Sequence, residues 1–277
     1  MTTTPSAHRP TAIVTGASRG IGKAVAIAMA GKGFDVGFTA RTVHEGDAYV
    51  EDDNVTLPGS LDTTQAAIEH AGVTALAIAM DLMDDVSIDA MTQYVMKTWG
   101  TPDVLVNNAI YQGPGRRARF LDTPDDELHA LLRGNALSQW RIIRAFLPAM
   151  IERGNGTIIN ITSAAGMSDP PKPTGEGGWS LGYGASKGAF HRTAGVLHAE
   201  HGHHGIRVFN LEPGLVHTER MVAVHGDHFQ QTAGVGTTPD VIGKVAVYLA
   251  TDPEAERWRG KTLHAQPFAA KVGIIAP

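Results

Sequence analysis

The 277-residue chain has no cysteine, which excludes a disulfide-stapled scaffold. Positive charge is not in excess: 23 Lys and Arg against 28 Asp and Glu give a formal net charge of -5. No basic cluster supplies the face that nucleic acid or an anionic membrane surface requires, so neither is an expected partner. Long apolar runs are missing too, and stretches such as residues 73–80 fall far short of the roughly 20 residues that span a bilayer. No internal repeat, low-complexity tract or Pro/Ser/Gly-rich linker divides the chain. Residues 1–10 lack the charged head and apolar stretch of a secretory signal. They are expected to form a flexible N-terminus on a cytoplasmic protein whose single domain runs over 11–277. With 43% hydrophobic and 18% charged residues, that domain has enough apolar material for a sizeable core.

From Thr11 onward, short apolar runs alternate with longer amphipathic segments, the pattern of strand–helix–strand units around a parallel sheet. The expected fold is α/β, a doubly wound Rossmann-type domain with a seven-stranded parallel sheet flanked by helices. Its strands are expected at Ala12–Val14, Asp35–Thr39, Ala75–Met80, Val104–Val106, Thr157–Ile161, Ile206–Leu211 and Thr262–Ala265. Helices are expected over Ile21–Lys32, Leu61–Ala71, Val86–Trp99, Asp125–Ile151, Tyr183–His201 and Asp240–Ala250. Residues 41–60, 168–182 and 218–239 read as loops around a ligand cleft, the last two as substrate loops.

Thr15–Gly22 reads TGASRGIG and links the first strand to the first helix. There a dinucleotide pyrophosphate meets unpaired backbone N–H groups, and Gly16, Gly20 and Gly22 let it approach closely. A phosphate-loop NTPase fits worse, because Ala24 follows Lys23 where a magnesium-binding Ser or Thr belongs. After the second strand an NAD site places an acid on the ribose. This chain has Ala40, Arg41 and Thr42. Arg41, with Arg19 in the turn, suits a 2'-phosphate, so NADP(H) is favoured over NAD(H). Asp81 either accepts from an adenine amine or caps the helix that begins near Asp84.

An ordered series of motifs runs through the chain: TGASRGIG, NNA at Asn107–Ala109, Asn135 within the long helix, NITSAAG at Asn160–Gly166, YGASK at Tyr183–Lys187 and NLEPGLVHT at Asn210–Thr218. With these the sequence resembles the short-chain dehydrogenase/reductase family. The resemblance implies a homo-oligomer, dimer or tetramer, that moves hydride between NAD(P) and a small-molecule carbonyl or alcohol. It implies a catalytic set of Asn135, Ser163, Tyr183 and Lys187. Cofactor contacts are implied for Gly16, Ser18, Arg19, Gly20, Ile21, Gly22, Arg41, Asp81, Leu82, Asn108, Ala109, Tyr183, Lys187, Pro213, Gly214, Val216 and Thr218. Asn107 either touches the adenosine ribose or ties strand ends together.

The chemistry also follows from the residue types. Reducing a ketone requires a proton donor at the oxygen that becomes alkoxide. A free phenol, with a pKa of about 10, exchanges its proton poorly near neutral pH, and a cation one helical turn away favours the phenolate. Tyr183 and Lys187 have that spacing. The resemblance implies that Ser163 rather than Thr162 holds the oxygen, Thr162 facing elsewhere on an alternating strand, and that Asn135 anchors a relay water.

Three departures stand out from the family pattern. Ile110 replaces a glycine usual after NNA, Ser163 and Tyr183 are separated by an inserted loop, and the C-terminal tail carries apolar Phe268, Val272, Ile274 and Ile275 that suit packing between subunits. Within the insert, Trp179 either lines the pocket or pins the loop. Met221, with Val222, Val224, Phe229 and Val235, is expected to close over an apolar substrate. Glu45, Asp47, Glu51, Asp52 and Asp53 read as a solvated acidic loop. His201, His203 and His204 lack the carboxylate or thiolate partners of a metal site and complement a helix end, so no metal is expected. The alternatives are a catalytically silent NADP-binding sensor on the same fold, and an isomerase or dehydratase that uses the cofactor transiently.

Overall fold

A computed structural model of the chain describes residues 9–50, 54–230 and 236–276, without the side chains of residues 225 and 227–230. The expected flexible N-terminus lies almost wholly outside the described residues. So do Glu51, Asp52, Asp53, Val235 and the side chain of Phe229.

In chain order the strands are β1 (Thr11–Thr15), β2 (Asp35–Ala40), β3 (Tyr49–Val50), β4 (Val55–Thr56), β5 (Ala75–Ala79), β6 (Val104–Asn107), β7 (Gly156–Ile161), β8 (Ile206–Glu212) and β9 (Thr262–His264). The α-helices are α1 (Gly20–Gly31), α2 (Leu61–Glu69), α3 (Asp85–Thr98), α4 (Asp125–Leu132), α5 (Ser138–Arg153), α6 (Leu181–His201), α7 (Glu219–Gln230), α8 (Pro239–Thr251) and α9 (Ala265–Lys271). The seven expected strands pair in parallel in the order β5-β2-β1-β6-β7-β8-β9. From β1 the chain builds outward to β5, then returns to β6 and builds the other way. The β1/β6 boundary is therefore a switch point, where the strand ends open a crevice.

Successive side chains of a strand point to opposite faces, and both faces here are apolar. Val14, Val106, Ile159 and Phe209 turn toward α1, α2 and α8, while Ile13, Leu105, Ile158 and Val208 turn toward α3, α5 and α6. All eight are fully buried or nearly so, which fixes the register, since a one-residue slip would exchange the two layers.

Near their C-terminal ends the strands carry a polar row. Thr39 pairs with Thr15, and Asn107, Asn160, Asn210 and Thr262 are successive partners across β6, β7, β8 and β9. Asn107 Nδ2 donates to Asn160 Oδ1 at 3.0 Å, Asn160 Nδ2 to Asn210 Oδ1 at 3.3 Å, and Asn210 Nδ2 to the His191 carbonyl of α6 at 2.7 Å. Of the two readings of Asn107, the structure supports the strand tie.

The structure departs from the sequence pattern in four places. The helix expected over 125–151 is two helices joined by a π-turn, in which the Ser138 N–H reaches back to the Arg133 carbonyl. The extra residue per turn lets Asn135 accept from the Tyr111 N–H at 2.8 Å. Residues 218–239 include α7, kinked at Gly226. The acidic connection holds the antiparallel β3–β4 ribbon. The tail forms α9 and packs on its own chain rather than serving only an interface, with Phe268 edge-on to Tyr248 and Trp258.

Asn160 has no exposed surface and serves two neighbours. Asn160→Ala strands a donor on one side and an acceptor on the other, a cost of roughly 2–4 kcal/mol. Urea denaturation is expected to show a correspondingly lower midpoint with an unchanged slope.

Candidate functional site

The turn between β1 and α1 is pressed against the end of β6. Gly16 (φ +69°) and Gly20 (φ +58°) are left-handed, a conformation glycine adopts without steric cost. A Cβ on Gly16 would stand 2.7 Å from the Ala109 Cα, and one on Gly22 would overlap the Gly16 carbonyl and Asn108 Nδ2. Asn108 fastens this approach by donating to the carbonyls of Thr15 at 2.9 Å and Gly16 at 3.0 Å. Its amide is therefore committed to the protein. The Thr15 hydroxyl accepts from the N–H groups of Asn108 and Ala109, each at 3.0 Å.

A cleft opens above this floor at the switch point. Twelve expected cofactor residues line it: Gly16, Ser18, Arg19, Gly20, Ile21, Gly22, Arg41, Asp81, Leu82, Asn108, Ala109 and Thr218. Sequence reasoning missed Leu57, Met80, Met83, Tyr111, Gln112 and Arg220, which complete it with Ile110, Ala40 and Thr42. Three arginines and a single acid, Asp81, are among these lining residues, so the cleft favours anions. Asp81 accepts from the Met83 N–H at 2.9 Å and does not cap α3, because Asp84 accepts from the Val86 N–H in that role.

Arg19 is bound to the acidic connection, donating to Pro58 O at 2.8 Å and Gly59 O at 2.6 Å. Burial pushes its pKa below the ordinary value, opposed by Glu219 and Glu45. Arg41 stands exposed on the rim of the same cleft, near enough for its charge to add to that lowering. The Gly20 N–H donates to Glu219 Oε2 at 2.8 Å. An oxyanion thus sits on the first turn of α1, where helix geometry leaves an N–H unpaired.

Beyond the cleft, the turn after β7, helix α6 and the π-turn before α5 carry the expected catalytic residues. Ser180 caps α6 by accepting from the Tyr183 N–H at 3.2 Å, which sets the phase of the helix. Lys187, four residues after Tyr183, is 5% exposed, and its amine donates to the Ile161 carbonyl at 3.1 Å. Burial pushes the Lys187 pKa down, Tyr183 opposes this, and Arg116 adds to it. The turn after Ser163 is packed on α6 so closely that a Cβ on Gly166 would stand 2.7 Å from the Lys187 carbonyl. Ser163 Oγ accepts from the Ala165 N–H at 3.3 Å, leaving its own proton to donate. Thr162 is 3% exposed and turned inward, as strand alternation requires. Asn135 is committed at both ends of its amide, accepting from Tyr111 N–H and donating to Ser186 Oγ at 3.2 Å.

Pro213, Gly214 and Val216 follow β8 and do not line the cleft. Their turn is fastened by two residues that sequence patterns did not single out. Glu212 accepts from the Gly214 N–H at 2.9 Å, and Gln266 of α9 donates to Pro213 O and Leu215 O, each at 3.2 Å. Trp179 lies against Gly184 at the start of α6, which matches loop pinning. Met221 sits in the first turn of α7, its N–H donating to Thr218 Oγ1 at 3.3 Å.

The buried Lys187 carries a stability cost with a definite sign. Its folded pKa lies below the unfolded one, so the penalty is fully present below the folded value. It is relieved as pH rises toward the unfolded value of about 10.4. Lys187→Met is expected to raise the melting temperature of the cofactor-free protein at neutral pH, by about 2–4 °C per kcal/mol relieved. It is also expected to flatten the alkaline gain that the wild type shows, as measured by calorimetry across pH.

Comparison with known proteins agrees with this fold. The short chain dehydrogenase family model matches residues 10–227. An uncharacterized NAD-dependent oxidoreductase of Mycobacterium tuberculosis is 32% identical over 267 residues, covering 89% of this chain and 91% of that protein. The 3-oxoacyl-[acyl-carrier-protein] reductase of Escherichia coli is 30% identical over 262 residues, covering 91% and 94%. A crystal structure of a short-chain type dehydrogenase/reductase from Mycobacterium marinum superposes with a TM-score of 0.75 at 26% identity, covering 92% of this chain and 93% of that one. With its seven-stranded parallel sheet, its glycine turn and this extent of similarity, the chain belongs to the short-chain dehydrogenase/reductase family of oxidoreductases.

Proposed function

We propose that the protein is an NADP(H)-dependent oxidoreductase that interconverts a carbonyl and a secondary alcohol, with Tyr183 as proton donor and acceptor. The observation that carries this reading is the amine of Lys187, buried one helical turn from Tyr183 and beside the strand that presents Ser163. Family members use a nicotinamide dinucleotide, and the residues present fit one. Glycine leaves open the space that Cβ atoms would fill at positions 16 and 22. The Gly20 N–H already holds a carboxylate oxygen. Arg41, where an acid would meet a ribose hydroxyl, suits a 2'-phosphate, and Arg19 supplies a second charge at the same rim.

When bound, the nicotinamide supplies the hydride for reduction or takes it up in the reverse direction. Ser163 donates a hydrogen bond to the substrate oxygen and holds it in place, keeping its own proton. Tyr183 gives its phenolic proton to that oxygen as alkoxide charge develops there. The Lys187 ammonium offsets the negative charge left on the phenol oxygen, in surroundings that screen it little. Reprotonation is served through Lys187 by a water held at Asn135. Because the Asn135 amide is taken at both ends, its main-chain carbonyl is the group for that water. A silent sensor would have no use for a buried cation behind a phenol, so catalysis is the better reading.

Tyr183→Phe is expected to lower turnover of carbonyl substrates by about 10²–10⁴-fold while leaving cofactor affinity within a few-fold. Unchanged turnover would remove Tyr183 from the mechanism. Titration of the wild type by fluorescence is expected to give tighter binding of NADPH than of NADH. Arg41→Ala should weaken NADPH by roughly tenfold and spare NADH. Equal or preferential NADH binding would sink the Arg41 argument.

A further inference from the structure

One strong cation near Tyr183 has no part in the mechanism above. Arg116 ends the short helical turn Pro114–Arg116, in the connection between β6 and α4. Glu127 of α4 holds that turn in place, with Oε2 accepting from the Gly115 N–H at 3.2 Å and Oε1 from the Tyr111 hydroxyl at 3.3 Å. The helix α4 is itself seated on α6, where a Cβ on Gly182 would stand 2.7 Å from Leu131 Cδ1. The guanidinium is therefore carried to Tyr183 by a built support, and its central carbon lies 5.2 Å from the centre of the Tyr183 ring.

Arg116 Nε is buried and has no hydrogen-bond partner among the described residues. The neighbouring ion pair, Arg119 with Glu176 at 2.9 Å, does not include it. Both Glu127 oxygens already accept from other donors. A hidden donor on a permanent cation is costly unless an acceptor meets it when the site is in use. The cost is raised by Lys187, because the positive charge of Arg116 reaches the buried amine and disfavours its protonation. Two cations thus flank one phenol, and an anion bound at Arg116 would relieve both.

We propose that Arg116 determines substrate specificity by pairing with a carboxylate, so that the substrate is an oxo acid, or the corresponding hydroxy acid, whose carbonyl or carbinol faces Tyr183 and Ser163. The planar guanidinium fork matches a carboxylate with two parallel hydrogen bonds. Phosphate is the competing anion; it suits the cleft that gathers three arginines, and the titration below separates the two. The proposal deepens the oxidoreductase reading and rests on it for the placement of the carbonyl. It also revises the apolar substrate expected around Met221 to an apolar body that carries one acidic group.

The test is calorimetric titration of the cofactor-saturated protein with straight-chain monocarboxylates from acetate to octanoate, their primary amides, and inorganic phosphate. The wild type is expected to bind at least one acid tenfold or more tightly than its amide, the scale of one charge-assisted hydrogen bond. Arg116→Met is expected to erase that preference while leaving amide and cofactor affinity within threefold, and Arg116→Lys to restore part of it. Equal binding of acid and amide by the wild type would overturn the proposal. So would equal loss of both in Arg116→Met, or Arg116-dependent binding of phosphate alone. Cofactor oxidation with the matching 3-oxo acids and with neutral ketones separates the two readings. Arg116-dependent acid binding without turnover of any carbonyl compound would remove the oxidoreductase reading and keep the anion site. Turnover of ketones with no acid binding would do the reverse.

Discussion

The whole arrangement depends on how closely one stretch of backbone approaches another where β1 ends. The glycine turn lies against Ala109, and no side chain at 16 or 22 could share that space. The approach is fastened from the β6 side by Asn108, which reaches two carbonyls of the turn, and from the β1 side by the Thr15 hydroxyl. From this contact follow the direction in which α1 leaves the sheet, the width of the cleft at the switch point and the donor that Gly20 presents. Glycine weakens a helix start through its freedom in the unfolded chain. Here that loss is offset by apolar packing of α1 against α8, with Val25, Ile242 and Val245 fully buried.

Electrostatics divides the site into two regions. The cleft over β2, β1 and β6 is rimmed by Arg19, Arg41 and Arg220, while the region over β7 and α6 contains the enclosed Lys187 with Arg116 nearby. In the first region the cations rim an open cleft and act as a field that draws in anions. In the second, desolvation governs, and each charge must be balanced locally. The connection after β6 serves both, since Ile110, Tyr111 and Gln112 border the cleft, while α4, reached through that connection, supports α6.

Much of the fold was legible because it depends on local periodicity. Alternation in segments such as Ala12–Val14 and Thr157–Ile161 marks strands packed on both faces, and all seven lie where the pattern put them. The glycine turn was legible because its position between a strand and a helix gives the spacing meaning. Ser163 was distinguished from Thr162 by family resemblance, alternation saying only that the two face opposite ways, and Thr162 is buried. What escaped were contacts between distant parts of the chain. Gly20 meets Glu219 across 199 residues, and Gln266 reaches Pro213 across 53, separations that no periodicity encodes. The resemblance marked Asn135 as an interruption of the long helix, but periodicity did not show it, because a π-turn preserves apolar content and shifts only the phase. Arg116 was hidden because an arginine in a Gly- and Pro-rich segment reads as solvated until α4 and α6 are seen to hold its turn against Tyr183.

The asparagine row gives the sheet a polarity that its apolar layers do not have. A backbone carbonyl can face only the amino end of an amide, so His191 O dictates the orientation of Asn210. Asn210 dictates that of Asn160, and Asn160 that of Asn107. His191 lies one turn beyond Lys187 on α6. If that helix slid or rotated by a single residue, the acceptor would leave its place and three amides on three strands would lose their common direction. The row therefore works as a detent, holding the helix that carries Tyr183 and Lys187 at one axial setting against β7, the strand that leads into Ser163.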